Sequence, residues 1–380
     1  YATVGGPEGP ATQPDDGKGC AAIQVAKGEP ARTLQRRPFR SGARPGMLRS
    51  MPDPMTRRTI LLASALAATS LLQSQAQGQA QDWPAKPIRL VVPFPPGSIS
   101  DAIARLVTDR LAGPLGQRFV IDNRGGAAGN IGTEHVARSE ADGYTFGLAS
   151  SGTHAANPAL YRGVGYDPER DFEPVAGLVK VPNLLVVRPT LGPDSVAGFI
   201  ALARSRPGGI TYGSIGNGSS QHLAGTQFEQ FTGVRLTHVP YRAVPPLLLD
   251  MHAGRLDASF QLVPNVVEAV RAGQLRGLAV ATPARLPALP DVPTMAEAGV
   301  AGFETAGWFG VVAPRGTPAA IVDRLAHEIR AVLATPELGE RLAALGCEPL
   351  PLGPAGFRAF IAAEIPRWRD IVRASGAQLD

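Results

Sequence analysis

VVPFPPGSISD, residues 91–101, is a β-branched run that breaks at Pro95-Pro96-Gly97 and restarts at Ile99-Ser100-Asp101. It reads as strand, tight loop and helix start. Such a junction aims the unpaired N–H groups of a first helical turn at one point, which suits an anion. A second opening of this kind lies at YGSIGNGSSQH, 212–222. Two anion-cradling helix starts in one chain suggest a cleft that closes on a carboxylate, the design of a binder before that of an enzyme.

Working outward, short apolar runs alternate with helical periods. IRLVVPF is followed by the period Ile103, Leu106, Leu111, then FVID, a helix near 130–138, and YTFGLAS. Repeated βα units imply a parallel sheet. A second series runs from NLLVVRP at 183–189 through a helix at 195–205, TYGS, a helix over 219–231, RLTHVPY, LDASFQL and LRGLAVA. PALPDVPTMAEAG is then expected as a proline-rich bend with one short helix. After it come WFGVVAP at 308–314 and two long helices, 318–333 and 354–375, flanking CEPLPL. The length of 380 residues predicts about two domains. Two βα blocks followed by a returning strand predict an α/β chain that crosses to a second lobe and comes back. The boundaries fall at 81–182 with 304–380 for lobe 1 and 183–303 for lobe 2.

Charge narrows the partners. Of the chain's 37 Lys and Arg and 32 Asp and Glu, residues 1–80 hold 10 and 5, which leaves 27 of each from residue 81 onward. A neutral body whose only lysines are Lys86 and Lys180 lacks the basic stripe that nucleic acid requires. Any anion must be held by local dipoles. Arg57-Arg58, the apolar run Ile60–Leu72 and a Gln/Ala/Ser stretch ending in small residues build an export signal over 55–80. The run is too short for a stable membrane span. Cleavage after Ala76 or Ala80 fits, and Arg57-Arg58 permits either general or twin-arginine export. Residues 1–46 have no methionine and no hydrophobic period, so 1–54 is expected to be disordered or untranslated. The body has Cys347 alone, which allows no intrachain disulfide, and no cysteine follows the apolar run to carry a lipid anchor. A freely diffusing, monomeric periplasmic protein is expected.

At this point particular segments resemble a known family. WPAKPIRLVVPFPPG, DNRGGAAGNIGTEHVA (122–137), ADGYTFGLASSGTHAANPALY (141–161), YDPERDFEPV (166–175), YGSIGNGSSQHLAG (212–225), HVPYR (238–242), LPDVPTMAEAG (289–299) and WFGVVAPRGTP (308–318) occur in the order seen in the Bug/TctC family. These are the extracytoplasmic solute-binding proteins of tripartite tricarboxylate transporters. The resemblance implies a type II periplasmic-binding-protein fold, two α/β lobes joined by a two-crossing hinge around a ligand cleft. It also implies a small organic carboxylate ligand and membrane transporter subunits as partners, with no cofactor, no metal and no catalytic residue. Carried onto this chain, Phe94, Pro96, Gly97, Ser98 and Asp101 would hold one ligand carboxylate, partly through water. Ser151, Gly152, Thr153 and His154 would line the same side. Asn217, Gly218, Ser219 and Ser220 would supply donors from the second lobe, with Tyr241 and Gln261 on neighbouring loops.

Three positions depart from the family pattern. Ser98 and Ile99 stand where relatives have glycine and its neighbour, and a β-branched residue resists positive φ, so the first loop is expected to be shaped differently. Gln261 stands where amino-acid binders often have an acid, which points to a ligand without an amino group. Ala243 with Val244-Pro245-Pro246 is expected to narrow and stiffen its rim.

Several candidates also have simpler readings. Ser219 and Ser220 suit helix capping, which leaves N–H groups for a ligand. Asp101 suits a cap or loop fastener, since a carboxylate would repel an anion. His154 and His222 have no partner at metal-ligand spacing and read as scaffold, His222 steadying its loop. No Gly-x-Ser-x-Gly surrounds Ser219 or Ser151, so a serine or histidine hydrolase is the weaker alternative, beside a ligand sensor for a signalling partner. Gly125-Gly126-Ala127-Ala128-Gly129 lacks the acid of a dinucleotide fingerprint and reads as a loop for close backbone approach, with Arg124 a brace. Trp308, Phe309, Phe357, Phe360 and Trp368 read as core.

Overall fold

Ten strands follow one another as β1 (Ile88–Val92), β2 (Phe119–Asn123), β3 (Thr145–Ser150), β4 (Phe172–Val187), β5 (Thr211–Ser214), β6 (Thr237–Pro240), β7 (Ala258–Leu262), β8 (Arg276–Val280), β9 (Ala306–Pro314) and β10 (Glu348–Pro349). They belong to a computed structural model that describes residues 83–376, so the expected export signal and upstream segment lie outside the described residues. The sheet order is β2-β1-β3-β9-β4-β7-β5-β6, with β8 and β10 also on β4. Parallel pairing holds within β2-β1-β3 and within β7-β5-β6, as repeated βα units require. The parallel sheet expected from the βα units is thus only part of a mixed one. β9 runs antiparallel to both β3 and β4, and β4 runs antiparallel to β7 and β8. The returning strand inserts beside β4 instead of extending the series.

β4 carries the architecture. Its first half pairs with β9 and its second half with β7 and β8, so one strand of 16 residues belongs to both lobes. NLLVVRP is only its far half. The near half, FEPVAGLVKVP, hides in sequence because Pro174, Gly177 and Pro182 disfavour a strand. The structure accommodates them with register shifts between Pro174 and Ala176 and between Gly177 and Val179. The chain passes back to the first lobe at Thr305–Ala306.

Helices cover both faces. In the first lobe α1 (Ile99–Leu115) and α6 (Ala319–Leu333) bury one apolar stripe against Leu90, Phe146, Val179 and Phe309, while α8 (Pro354–Ser375) covers Trp308 with Phe357, Ile361 and Trp368. α2 (Asn130–Ala137) flanks β3. In the second lobe α3 (Val196–Ser205) and α4 (Ser220–Thr232) pack Phe199 and Phe228 on Tyr212, Phe260 and Phe303. α5 (Val244–His252) covers the opposite face with Leu247 and Met251. Each lobe therefore has a sheet between helices, the α/β sandwich that buries both strand faces. The aromatics read as core behave so, and Glu364 accepts from the indole N–H groups of both Trp308 (2.9 Å) and Trp368 (2.7 Å).

Of the longer helices, α5 and α7 (Pro336–Ala344) escape sequence reading. α7 opens on Pro336 and α5 carries Pro245 and Pro246 within its first turn, where the missing N–H costs nothing. Pro245-Pro246 thus starts a helix instead of merely stiffening a rim. The short helix expected within 287–299 is instead a run of turns. Thr294 and Glu297 exchange side-chain bonds with each other's N–H groups as a capping box, but Gly299 at φ 91° ends the turn before it propagates.

Candidate functional site

The loops after β1, β3 and β5 all leave the C-terminal ends of parallel strands, where open α/β sheets place their ligands. In the first of them Gly97 takes φ 76°, and Ser98, at φ −70° and ψ 162°, caps α1 by accepting from Asp101 N–H. Only Gly97 in this stretch needs the left-handed region, so Ser98 and Ile99 impose no backbone strain.

Asp101 is buried and accepts from Gly97 N–H at 3.0 Å, from Arg105 Nε at 3.1 Å on each oxygen, and from Asn123 Nδ2 at 3.1 Å. Burial works to raise its pKa, but the bonds from Arg105, Gly97 and Asn123 together hold the carboxyl below its ordinary range. Its acceptors are spent on the loop. Asn123 also donates to Phe94 O at 3.1 Å, so strand β2 and helix α1 grip both ends of Phe94–Gly97. Arg124 braces Asp122 at 2.8 Å. Nearby, Ala127 and Ala128 take φ 45° and 53°, a left-handed pair held where Asn157 Nδ2 donates to Ala128 O.

After β3, Ser150 and Thr153 form a closed knot. Thr153 N–H donates to Ser150 Oγ at 3.1 Å and Ser150 N–H to Thr153 Oγ1 at 3.2 Å. Thr153 Oγ1 also meets His154 Nδ1 at 2.9 Å. His154 faces inward: it is 1 % exposed, its ring lies 4.8 Å from that of Phe172, and burial pushes its pKa down to about 3. It shares its small internal space with Pro93, Val136 and Leu148. The structure therefore places Thr153 and His154 behind the loop as support, with Ser151 and Gly152 at its turn.

In the second lobe Gly216 (φ 117°) and Gly218 (φ 77°) shape the turn into α4. Ser219 caps that helix through His222 N–H at 3.3 Å and donates to Gly216 O at 2.7 Å. Gly218 N–H donates to His222 Nδ1 at 3.1 Å, so this imidazole fixes the loop. Its ring stacks on His238 at 4.1 Å, and His238 Nε2 meets Ser214 Oγ at 2.6 Å. Burial pushes both histidines down to about 4, the neighbouring His222 adding to the effect on His238. Both are neutral near pH 7. Asn217 is exposed at the tip.

The two lobes meet here. A Cβ placed on Gly307 would stand 3.6 Å from Ser151 Oγ of the first lobe and 3.7 Å from Ser220 Oγ of the second. A Cβ on Gly218 would stand 2.0 Å from Leu160 Cδ2 across the same seam. Tyr241 and Gln261 are spent internally. Tyr241 donates to Asp250 Oδ2 at 2.7 Å, and burial with that carboxylate pushes the phenol up to about 12. Gln261 donates to Ser259 Oγ at 3.1 Å and accepts from Asn265 Nδ2 at 3.2 Å. Both sets of bonds lie within the second lobe.

Sequence reasoning passes over Gly307, Leu160 and Gln221, the last of which is buried on the first turn of α4 beside Ser220. Gln221 lies inside the quoted 212–222 motif, but a glutamine on a helix carries no signal of its own. Among the described residues no group of three or more His, Cys, Asp or Glu is placed to hold a metal ion, and no helix is long and apolar enough to cross a membrane.

Comparison with known proteins gives consistent likenesses. The model of the tripartite tricarboxylate transporter family receptor matches residues 103–377. Protein BugT of Bordetella pertussis is 38 % identical over 326 residues, 86 % of this chain and 99 % of that protein. Among solved structures, R. palustris Rpa4515 with adipate is 44 % identical with a TM-score of 0.74, covering 78 % of this chain and all of that one. MatC (Rpa3494) from Rhodopseudomonas palustris with bound malate is 34 % identical with a TM-score of 0.69, covering 76 % and 100 %.

Proposed function

The chain belongs to the tripartite tricarboxylate transporter receptor family, and from that premise we propose that it is a periplasmic solute-binding protein for a small organic carboxylate. The acid bridges the lobes, 81–182 with 304–380 on one side and 183–303 on the other, and favours the closed form because only that form offers both sets of contacts. Membrane subunits of a transporter then receive it. One carboxylate lies against Phe94, Pro96, Gly97, Ser98 and the turn at Ser151–Gly152. The start of α4, with Asn217, Gly218, Ser219 and Ser220, serves the other side.

The observation that carries this reading is the convergence of Ser151 and Ser220, one hydroxyl from each lobe, on one point beside Gly307. Capped helix starts supply further neutral donors, and their dipoles favour negative charge. The adipate and malate of the two relatives point towards dicarboxylates. Receptors of this family bind and do not transform, and the neutral histidines here act as scaffold, so the ligand should be recovered intact.

Calorimetric titration with adipate, malate and a set of aromatic acids tests the proposal. At least one should bind saturably, and Ser220→Leu, which fills the seam, should abolish that binding. Silence across the whole set would remove the reading. Export is tested by sequencing the N-terminus of the periplasmic protein, expected near Gln77 or Gln81.

A further inference from the structure

Gln221 holds a hydrogen-bond donor that the fold leaves unused. The residue is 1 % exposed, and its Oε1 accepts from Ser220 Oγ at 3.3 Å. Its Nε2 is buried and has no hydrogen-bond partner among the described residues. A buried amide N–H without a partner forfeits the bonds it makes to water, so native structures seldom keep one without a use. The position gives the use. Ser220 Oγ, which bonds this amide, is the second-lobe hydroxyl that flanks Gly307 together with Ser151 Oγ of the first lobe, at 3.7 and 3.6 Å from where a Cβ on Gly307 would stand. The spare donor therefore belongs to the seam between the lobes.

We infer that Gln221 Nε2 is the specificity-determining donor of the second lobe, pairing with an oxygen at the far end of the ligand and selecting a second carboxylate there. The inference rests on the carboxylate reading above and adds which end group the site accepts. An amide N–H pairs with a carboxylate oxygen and opposes an ammonium, whose hydrogens would face its own. A methyl group in that place would leave the donor unpaired. Gln261, the residue that sequence reasoning would use to exclude an amino group, has both ends of its amide engaged by Ser259 and Asn265. The selection passes to Gln221.

Three straight-chain acids separate these cases, because adipate, hexanoate and 6-aminohexanoate share one carboxylate and differ at the other end: carboxylate, methyl or ammonium. Titrated into the purified protein, adipate should bind tightest. Gln221→Met keeps the length and removes the donor, and the preference for adipate over hexanoate should fall about tenfold. Gln221→Glu replaces the donor with a charged acceptor and should move the preference to 6-aminohexanoate. If the wild type favours adipate while both variants keep the same ranking, the inference falls and the carboxylate reading stands. A wild type that binds none of the three overturns this inference, and the carboxylate reading falls only if malate and the aromatic acids are silent as well. Should Gln221→Met fail to fold, as its melting curve would show, the ranking of Gln221→Glu decides alone.

Discussion

Thr305 Oγ1 donates a 2.7 Å hydrogen bond to Asn183 Oδ1, so the two places where the chain passes between its lobes are tied to each other by side chains. Asn183 N–H donates to Thr305 O at 3.1 Å, and Asn183 Nδ2 to Phe260 O at 2.9 Å. Asn183 is fully buried, and its Oδ1 and N–H would both lose their Thr305 partner if the crossings separated. The two crossings are therefore held side by side.

Thr305→Val keeps the shape of the side chain and removes the donor, leaving Asn183 Oδ1 buried without this partner. A loss of about 1–3 kcal/mol is expected, with no change in the surface exposed on unfolding. Urea denaturation measures both through the midpoint and the slope. A variant as stable as wild type would show that the crossings are held by backbone pairing alone.

Gly218 sets how closely the lobes approach. Its φ of 77° disfavours any side chain, and a Cβ there would overlap Leu160 of the opposite lobe. Gly218→Ala should weaken binding of whichever acid the calorimetric set identifies, by tenfold or more on the order of the strain involved. Adding Leu160→Ala removes the overlap but not the φ penalty, so the double variant should recover part of the affinity. No recovery at all would mean that backbone strain, not contact across the seam, is what glycine relieves here.

The layout of the fold was legible where one local preference dominated. VVPFPPGSISD and the 212–222 motif predict their strand-loop-helix junctions because Gly97 and Gly218 supply positive φ and Ser98 and Ser219 cap. The near half of β4 was not, since its prolines are accommodated by register shifts that only the partner strand β9 reveals. In the site, Ser219 was legible as a capping residue, while the inward turn of His154 depends on packing against β4 and the internal pairing of Tyr241 and Gln261 depends on how the chain turns from strand into the next helix. Tyr241 pairs with Asp250 on the next helix, and His154 packs on Phe172 at the start of β4. Gln221 shows the converse, an ordinary residue made informative only by burial.

Acid should destabilise the protein through its histidines before its carboxylates titrate. His222 and His238 fall from an ordinary 6.5 to about 4, and His154 to about 3, all chiefly because burial disfavours the charged ring. Their folded pKa values lie below the unfolded ones, so the unfolded chain binds more protons as pH falls from 6.5. The stabilisation is complete above pH 6.5 and declines towards pH 4, each ring contributing a slope of at most about 1.4 kcal/mol per pH unit. Below the folded pKa of each ring its contribution levels off. His222→Asn offers an amide oxygen to Gly218 N–H in place of Nδ1 and cannot titrate, so it should keep the loop and reduce the slope by one proton. Urea midpoints taken between pH 7 and pH 4.5 measure this directly. A wild type whose stability is flat over that interval would mean that these rings titrate in the folded protein as they do in the unfolded chain, which the 4.1 Å stack of His222 on His238 and the donation from Gly218 N–H to Nδ1 both oppose.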